Sequence, residues 1–338
     1  MKRSYLNVMF IASLLVSCQS PTNDTDVDKE KDTEIATVYS DAQQMITIAS
    51  IAYDSTLTEL KAKLADKNLS TQGNWELVWG PEDINTTKIF VVKNKNALKP
   101  TYAVSIQGTT DSLLSWLYDF DDFKLVPLPW SANNQKQIGI GLRDAWRNIS
   151  LMQSSNVNLL TFLKNTPVGT QVYVTGHSLG GALATIVAAW LHDTLPGKII
   201  KPITFAGQTA GNSLFARNYN VRFKSNTPEA LDKRYFNTLD IVPMGFSNIA
   251  EIKKLYQSPG PACPFATKVL IDGFELALNI SGDEYIQVGT PYLLPSRVIP
   301  ASTFFKEIGF QHSHFTYQYL MKVPFTDKLP QPYPPKHL

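Results

Sequence analysis

Ser178 stands where a serine can do nucleophilic chemistry. The run Val172-Tyr-Val-Thr-Gly176-His177-Ser178-Leu179-Gly180-Gly181 passes from β-branched residues into a glycine-framed serine, then into the Ala-rich stretch 182–189. That order predicts a strand, a very tight turn and a helix, with the hydroxyl exposed at the apex and the Leu179 N–H at the helix N-terminus. The glycines answer a steric need, because Cβ atoms beside a serine in strained backbone angles would strike the strand or the helix. A bare Gly-x-Ser-x-Gly arises by chance in about one chain in ten of this length. The flanking strand and helix patterns carry the signal, and the bland reading is a turn that merely contains serine.

A serine hydroxyl needs a base, and histidine is the usual one. The chain has five histidines. His177 abuts the serine and must point away; His192 lies near the end of the helix that follows; His337 lies in the Pro-rich tail 324–338. With the chain order serine, acid, histidine, His312 and His314 remain in Gly-Phe-Gln-His312-Ser-His314-Phe-Thr-Tyr317. The acid then falls between 178 and 314. Asp193 and Asp232 sit in helix or loop, and Asp272 and Asp283 in a stretch without a clear pattern. Asp240 ends the strand-like run 235–243, at the sheet edge where α/β proteins build their sites, and would hold the imidazole in its working tautomer.

The segment Gly-His-Ser-Leu-Gly-Gly-Ala-Leu-Ala resembles the elbow of the class 3 lipases, relatives of the fungal triacylglycerol lipases. Asn237-Thr-Leu-Asp240-Ile-Val-Pro243 is similar to that family's Asn-x-x-Asp-x-Val-Pro block, and His314-Phe-Thr-Tyr317 to its His-x-x-Tyr pattern. The resemblance therefore names His314 as the base and implies an α/β-hydrolase fold: a mostly parallel central sheet flanked by helices, with a long insertion before the catalytic His. It also implies an oxyanion hole made by the backbone amides of Leu179 and Thr109, with Gln107 where the family carries Arg. Leu113 to Tyr118, with Trp116, resembles a lid segment; buried packing is the alternative. Gly211 and Asn212 match a further block in which Gln208 replaces a proline, and Gly141 alone survives of a His-x-Gly-Phe block. The likeness spans about residues 75–320, strong at three blocks.

The remaining residues must position these groups. Helical spacing from Val38 to Leu64 predicts one or two helices, and 75–80, 88–93 and 101–108 read as strands. Residues 140–163 read as one long helix, 171–176 and 201–207 as strands, 212–220 as helix. A last helix is expected from about Ser313 to Pro324. Strands alternating with helices predict a covered parallel sheet. The stretch from Asp240 to the histidines is a long connection, rich in Pro, Phe, Tyr and Leu, and suggests a wall of the acyl pocket.

Composition is that of a globular protein, 43% hydrophobic and 18% charged with a net charge of +2, which gives no reason to expect a nucleic-acid partner. Lys2 and Arg3 precede an apolar run, 5–16, too short to span a bilayer comfortably. With Leu15-Val-Ser-Cys18 it resembles a bacterial lipoprotein signal, which implies residues 1–17 removed, Cys18 as the lipid attachment point, a tether over 18–35, a hydrolase domain over 36–323, and anchoring at the cell envelope; soluble secretion is the alternative. Cys263 is then the one other cysteine and reads as structural filler. The resulting expectation is a lipid-anchored serine ester hydrolase acting on acylglycerols or other lipid esters, without a cofactor or metal. The rival readings are a phospholipase or acyltransferase with the same triad, and a non-catalytic surface lipoprotein.

Overall fold

Alternation along the strands decides the architecture. In β2 (Thr87–Asn94), Ile89 and Val91 face one side of the sheet while Phe90 and Val92 face the other, all fully buried. Such a strand needs helices on both faces. The computed structural model describes residues 38–84, 87–109, 124–257, 260–299 and 302–329, and Tyr39 begins one compact unit. The segment with Trp116, Cys18 and the N-terminal signal, and His337 lie outside the described residues.

Seven strands form the main sheet in the order β1 (Trp75–Ile84), β2, β3 (Thr101–Ile106), β8 (Gln171–His177), β9 (Ile199–Phe205), β10 (Lys233–Asn237), β11 (Pro291–Leu294). The first three pair antiparallel, and every pair from β3 onward is parallel. Between β3 and β8 lie two small hairpins, β4 (Leu125–Pro127) with β5 (Gln137–Gly139) and β6 (Gln153–Ser154) with β7 (Val157–Asn158). One face of the main sheet is covered by α1 (Asp41–Ile51), whose Met45 and Ile48 join Phe90, Val92, Ala103 and Tyr173. The other face carries α3 (Ile140–Leu151) and α5 (Leu179–Thr194), with Leu183, Ile186 and Val187 against Val104, Val172 and Val174. α2 (Leu57–Ala65), α4 (Leu159–Lys164) and α6 (Ser213–Phe223) complete these layers.

Two expectations change. The long helix over 140–163 is broken at Met152: Ser155 and Asn156 both take positive φ, 50° and 63°, the backbone of a tight hairpin turn, and α4 starts afresh at Leu159 with Asn158 as its cap. The stretch before the histidines is also more than a pocket wall. It holds α7 (Phe265–Ser281) and α8 (Phe304–His312), and it supplies β11, which pairs in parallel with β10 from Arg234–Pro291 to Asn237–Leu294. A third core cluster joins Ile241, Val242, Ile252, Ile271, Phe274, Phe304 and Ile308. The chain then turns at Ser313 into α9 (His314–Leu320).

Candidate active site

The parallel strands all end at the same edge, so the loops after β3, β8 and β10 meet there. Ser178 follows β8 directly with φ 61° and ψ −131°, and α5 begins at the next residue. Side chains rarely adopt such angles, and a residue held in them is fixed by its surroundings. The surroundings are glycine. A Cβ on Gly180 would lie 2.2 Å from the Ile106 carbonyl oxygen, and one on Gly176 would lie 2.3 Å from that of Gly180. Helix α5 therefore presses on the sheet backbone to backbone and carries the serine at its tip.

The histidine that meets Ser178 is His312. Its Nε2 accepts the Ser178 hydroxyl at 2.7 Å, and its Nδ1–H donates to Asp240, 2.8 Å from Oδ2 and 3.0 Å from Oδ1. Asp240 is 1% exposed and His312 5%, so the pair works in a medium that screens it poorly. The carboxylate has further donors: the Val242 N–H to Oδ1 at 3.0 Å and the Tyr317 hydroxyl to Oδ2 at 2.8 Å. Burial, then the Asp240 charge, raises Tyr317 well above the usual phenol range and keeps it a donor.

The expectation for His314 is corrected. His314 opens α9 on the far side of the Ser313 turn, and its ring stacks on Tyr53 at 4.7 Å with 5° between planes. Burial pushes it down to about 4, so it is neutral at physiological pH and turned away from Ser178. The sequence carries only part of the signal. Phe304, Glu307, Ile308, Gln311 and His312 form the buried stripe of α8, with offsets of three, four, seven and eight residues. A helix begun at 304 puts His312 inside; one begun at 313 hides that pattern. Tyr317 does serve the site, but by holding Asp240. The strand expected over 235–243 also stops at Asn237, and Asp240 sits in the turn beyond it, ahead of a 3₁₀ turn at Val242–Met244.

Two residues support this arrangement without a signal at the motif level. Gln311 takes Asn237 Nδ2 on its side-chain and main-chain oxygens, both at 2.8 Å, and donates to the buried Glu307 at 2.9 Å, which ties the end of β10 to α8. Tyr53 hydrogen-bonds His177 Nδ1 through its hydroxyl at 2.9 Å and accepts the Gly108 N–H. His177 is buried, held neutral well below its ordinary pKa by burial and by His312, and its ring lies 4.8 Å from that of His312. A Cβ on Gly108 would meet the Tyr53 hydroxyl at 2.3 Å and the Ser178 Cβ at 3.1 Å. The loop carrying Thr109 thus runs against the serine, opposite the Leu179 end of α5.

Residues 103–248 match the family described as lipase (class 3). This stretch belongs to the class 3 lipases. The lipase stretch contains Ser178 and Asp240, while His312 lies beyond it. A secreted mono- and diacylglycerol lipase of Malassezia restricta is 29% identical over 155 residues, 44% of this chain and 49% of that protein, so the chain spans about half the length of this curated relative. Among solved structures, M37 lipase superposes with a TM-score of 0.72 at 24% identity, over 84% of this chain and 94% of that one. The Rhizomucor miehei triacylglyceride lipase gives 0.51 at 18%, over 75% and 78%. Both show the α/β-hydrolase fold in this chain. Among the described residues no group of His, Cys, Asp and Glu is placed to hold a metal ion.

Proposed function

We propose that the chain is a serine carboxylic ester hydrolase acting on acylglycerols or related lipid esters through an acyl-enzyme. The observation that carries this reading is the continuous hydrogen-bond line Ser178–His312–Asp240 across an elbow of the lipase family. Ser178 attacks the ester carbonyl carbon as His312 Nε2 takes its proton. The carbonyl oxygen becomes an oxyanion facing the amides of Leu179 and Thr109, a donor pair whose members are typically worth about 2.7–4 kcal/mol each at the transition state. Collapse expels the alcohol, which receives the proton from His312. Water then repeats the sequence and frees the acid. Asp240 holds the ring tautomer and stabilises the imidazolium without itself taking a proton. The lipid-ester preference is supported by the relative, a mono- and diacylglycerol lipase. A fluorophosphonate probe should label the wild type and leave Ser178→Ala unlabelled; equal labelling would dismiss the serine mechanism.

The same reading takes residues 1–17 as a removed leader and Cys18 as the point of lipid attachment, with the hydrolase domain beginning near residue 36. Support comes from the apolar run, the Leu-Val-Ser-Cys sequence and a relative described as secreted. Metabolic labelling with a radioactive fatty acid, lost on Cys18→Ser, is the expected result; label retained by that variant counts against it.

A further inference from the structure

Helix α7 has two apolar faces and uses one. Ile271, Phe274 and Leu278 are buried in the third core cluster, against Ile241, Val242, Phe304 and Ile308. Phe265, Val269, Leu276 and Ile280 are 81, 53, 59 and 77% exposed. These four lie within about 60° of one another on the helix wheel, along about 22 Å of its length. Exposed apolar residues scattered singly need no account, but a stripe on one face does.

We propose that this stripe seats in the surface of a neutral lipid phase and holds the catalytic edge there, an inference that rests on the lipid-ester reading above. Two observations select this occupant. The stripe covers about 220 Å², taking a helix width of about 10 Å, well below the roughly 800 Å² per partner of a stable protein interface. A second copy of the chain gains too little from it, whereas shallow insertion into a lipid surface asks only for one apolar helix face. Charge selects the kind of lipid. The rim carries Lys253 paired with Asp272 and Glu275, and Lys268 beside them, so no cationic excess exists to favour an anionic bilayer. Through its buried face α7 packs on Ile241 and Val242, next to Asp240, and on the helix that ends at His312. Seating the stripe therefore anchors the segments that carry the acid and the base.

The test compares full-length wild type with Leu276→Asp/Ile280→Asp, exposed positions outside the catalytic machinery. On emulsified triolein the half-saturating concentration should rise about tenfold or more, while turnover of soluble p-nitrophenyl acetate stays within about twofold. The difference should persist in high salt, since it is apolar rather than coulombic. A fluorophore on Leu276→Cys, in the full chain with Cys18→Ala, should shift to the blue with phosphatidylcholine vesicles, and the same label on Val168→Cys should not. Val168 is 87% exposed and precedes β8, at the end of the sheet away from Ser178. Unchanged emulsion kinetics, equal shifts at both labels, or a shift at 276 that follows protein concentration without vesicles would overturn the proposal, the last in favour of self-association. Absence of soluble-ester turnover in the wild type would instead defeat the hydrolase reading and leave the fluorescence result to stand alone.

Discussion

At the scale of single residues, the two histidines of His312-Ser-His314 have opposite work. His312 bridges serine and aspartate, whereas His314 is a packed, neutral ring on Tyr53. His312→Ala should lower kcat on a soluble ester by about 10⁴-fold or more, and His314→Phe, which keeps the stack, by less than about tenfold; steady-state kinetics on both variants decides it. The buried ring should show itself in acid. In the unfolded chain a histidine takes its proton near 6.5, but folded His314 takes it only at about 4. Between those values the unfolded state binds the extra proton, so native stability falls with pH and is lower by about 3 kcal/mol once both are passed. Urea midpoints measured at about pH 7 and about pH 4.5 should therefore converge in His314→Phe relative to wild type. An unaltered acid dependence would mean the ring is solvated.

The elements bring the loops together through close backbone contact. Helix α5 reaches the sheet because Gly176, Gly180 and Gly181 leave room: a Cβ on Gly181 would stand 2.7 Å from the Phe205 carbonyl oxygen. Gly180→Ala must push α5 off β3, tilt Ser178 away from His312, and destabilise the fold by about 1–3 kcal/mol. Both a lower Tm and a kcat loss should follow. Gly273, in the middle of α7, has nothing within 4 Å of a built Cβ. Gly273→Ala should stabilise by up to about 1 kcal/mol, through helix propensity alone. Thermal melts of the pair separate packing glycines from a merely exposed one.

For the whole molecule, the long connection from Asp240 to His312 is part of the sheet. It delivers β11 as an edge strand on β10 and a core cluster behind the acid. Deletion of residues 255–295 should therefore abolish cooperative unfolding, read by circular dichroism and denaturant titration. A folded deletion variant with altered chain-length preference would restore the simpler picture of a pocket wall. The N-terminal layer is equally built in, since Tyr53, from the turn after α1, touches the elbow and the Gly108 loop.

Much of the site was legible because its parts are local. Strand, glycine-framed serine and helix are neighbours in the chain, and steric need alone ties Gly176, Ser178 and Gly180 into one turn. Asp240 was legible as a carboxylate past a strand end in a parallel sheet. The choice between His312 and His314 was not, because both residues lie two positions apart across a single backbone turn, and their directions depend on where α8 begins and what it packs against. That packing involves Asn237, Gln311 and Glu307, residues distant in sequence and without a motif. Residue types and local periodicity determined which chemistry the chain carries; only the meeting of α8 with the end of β10 decided which imidazole performs it.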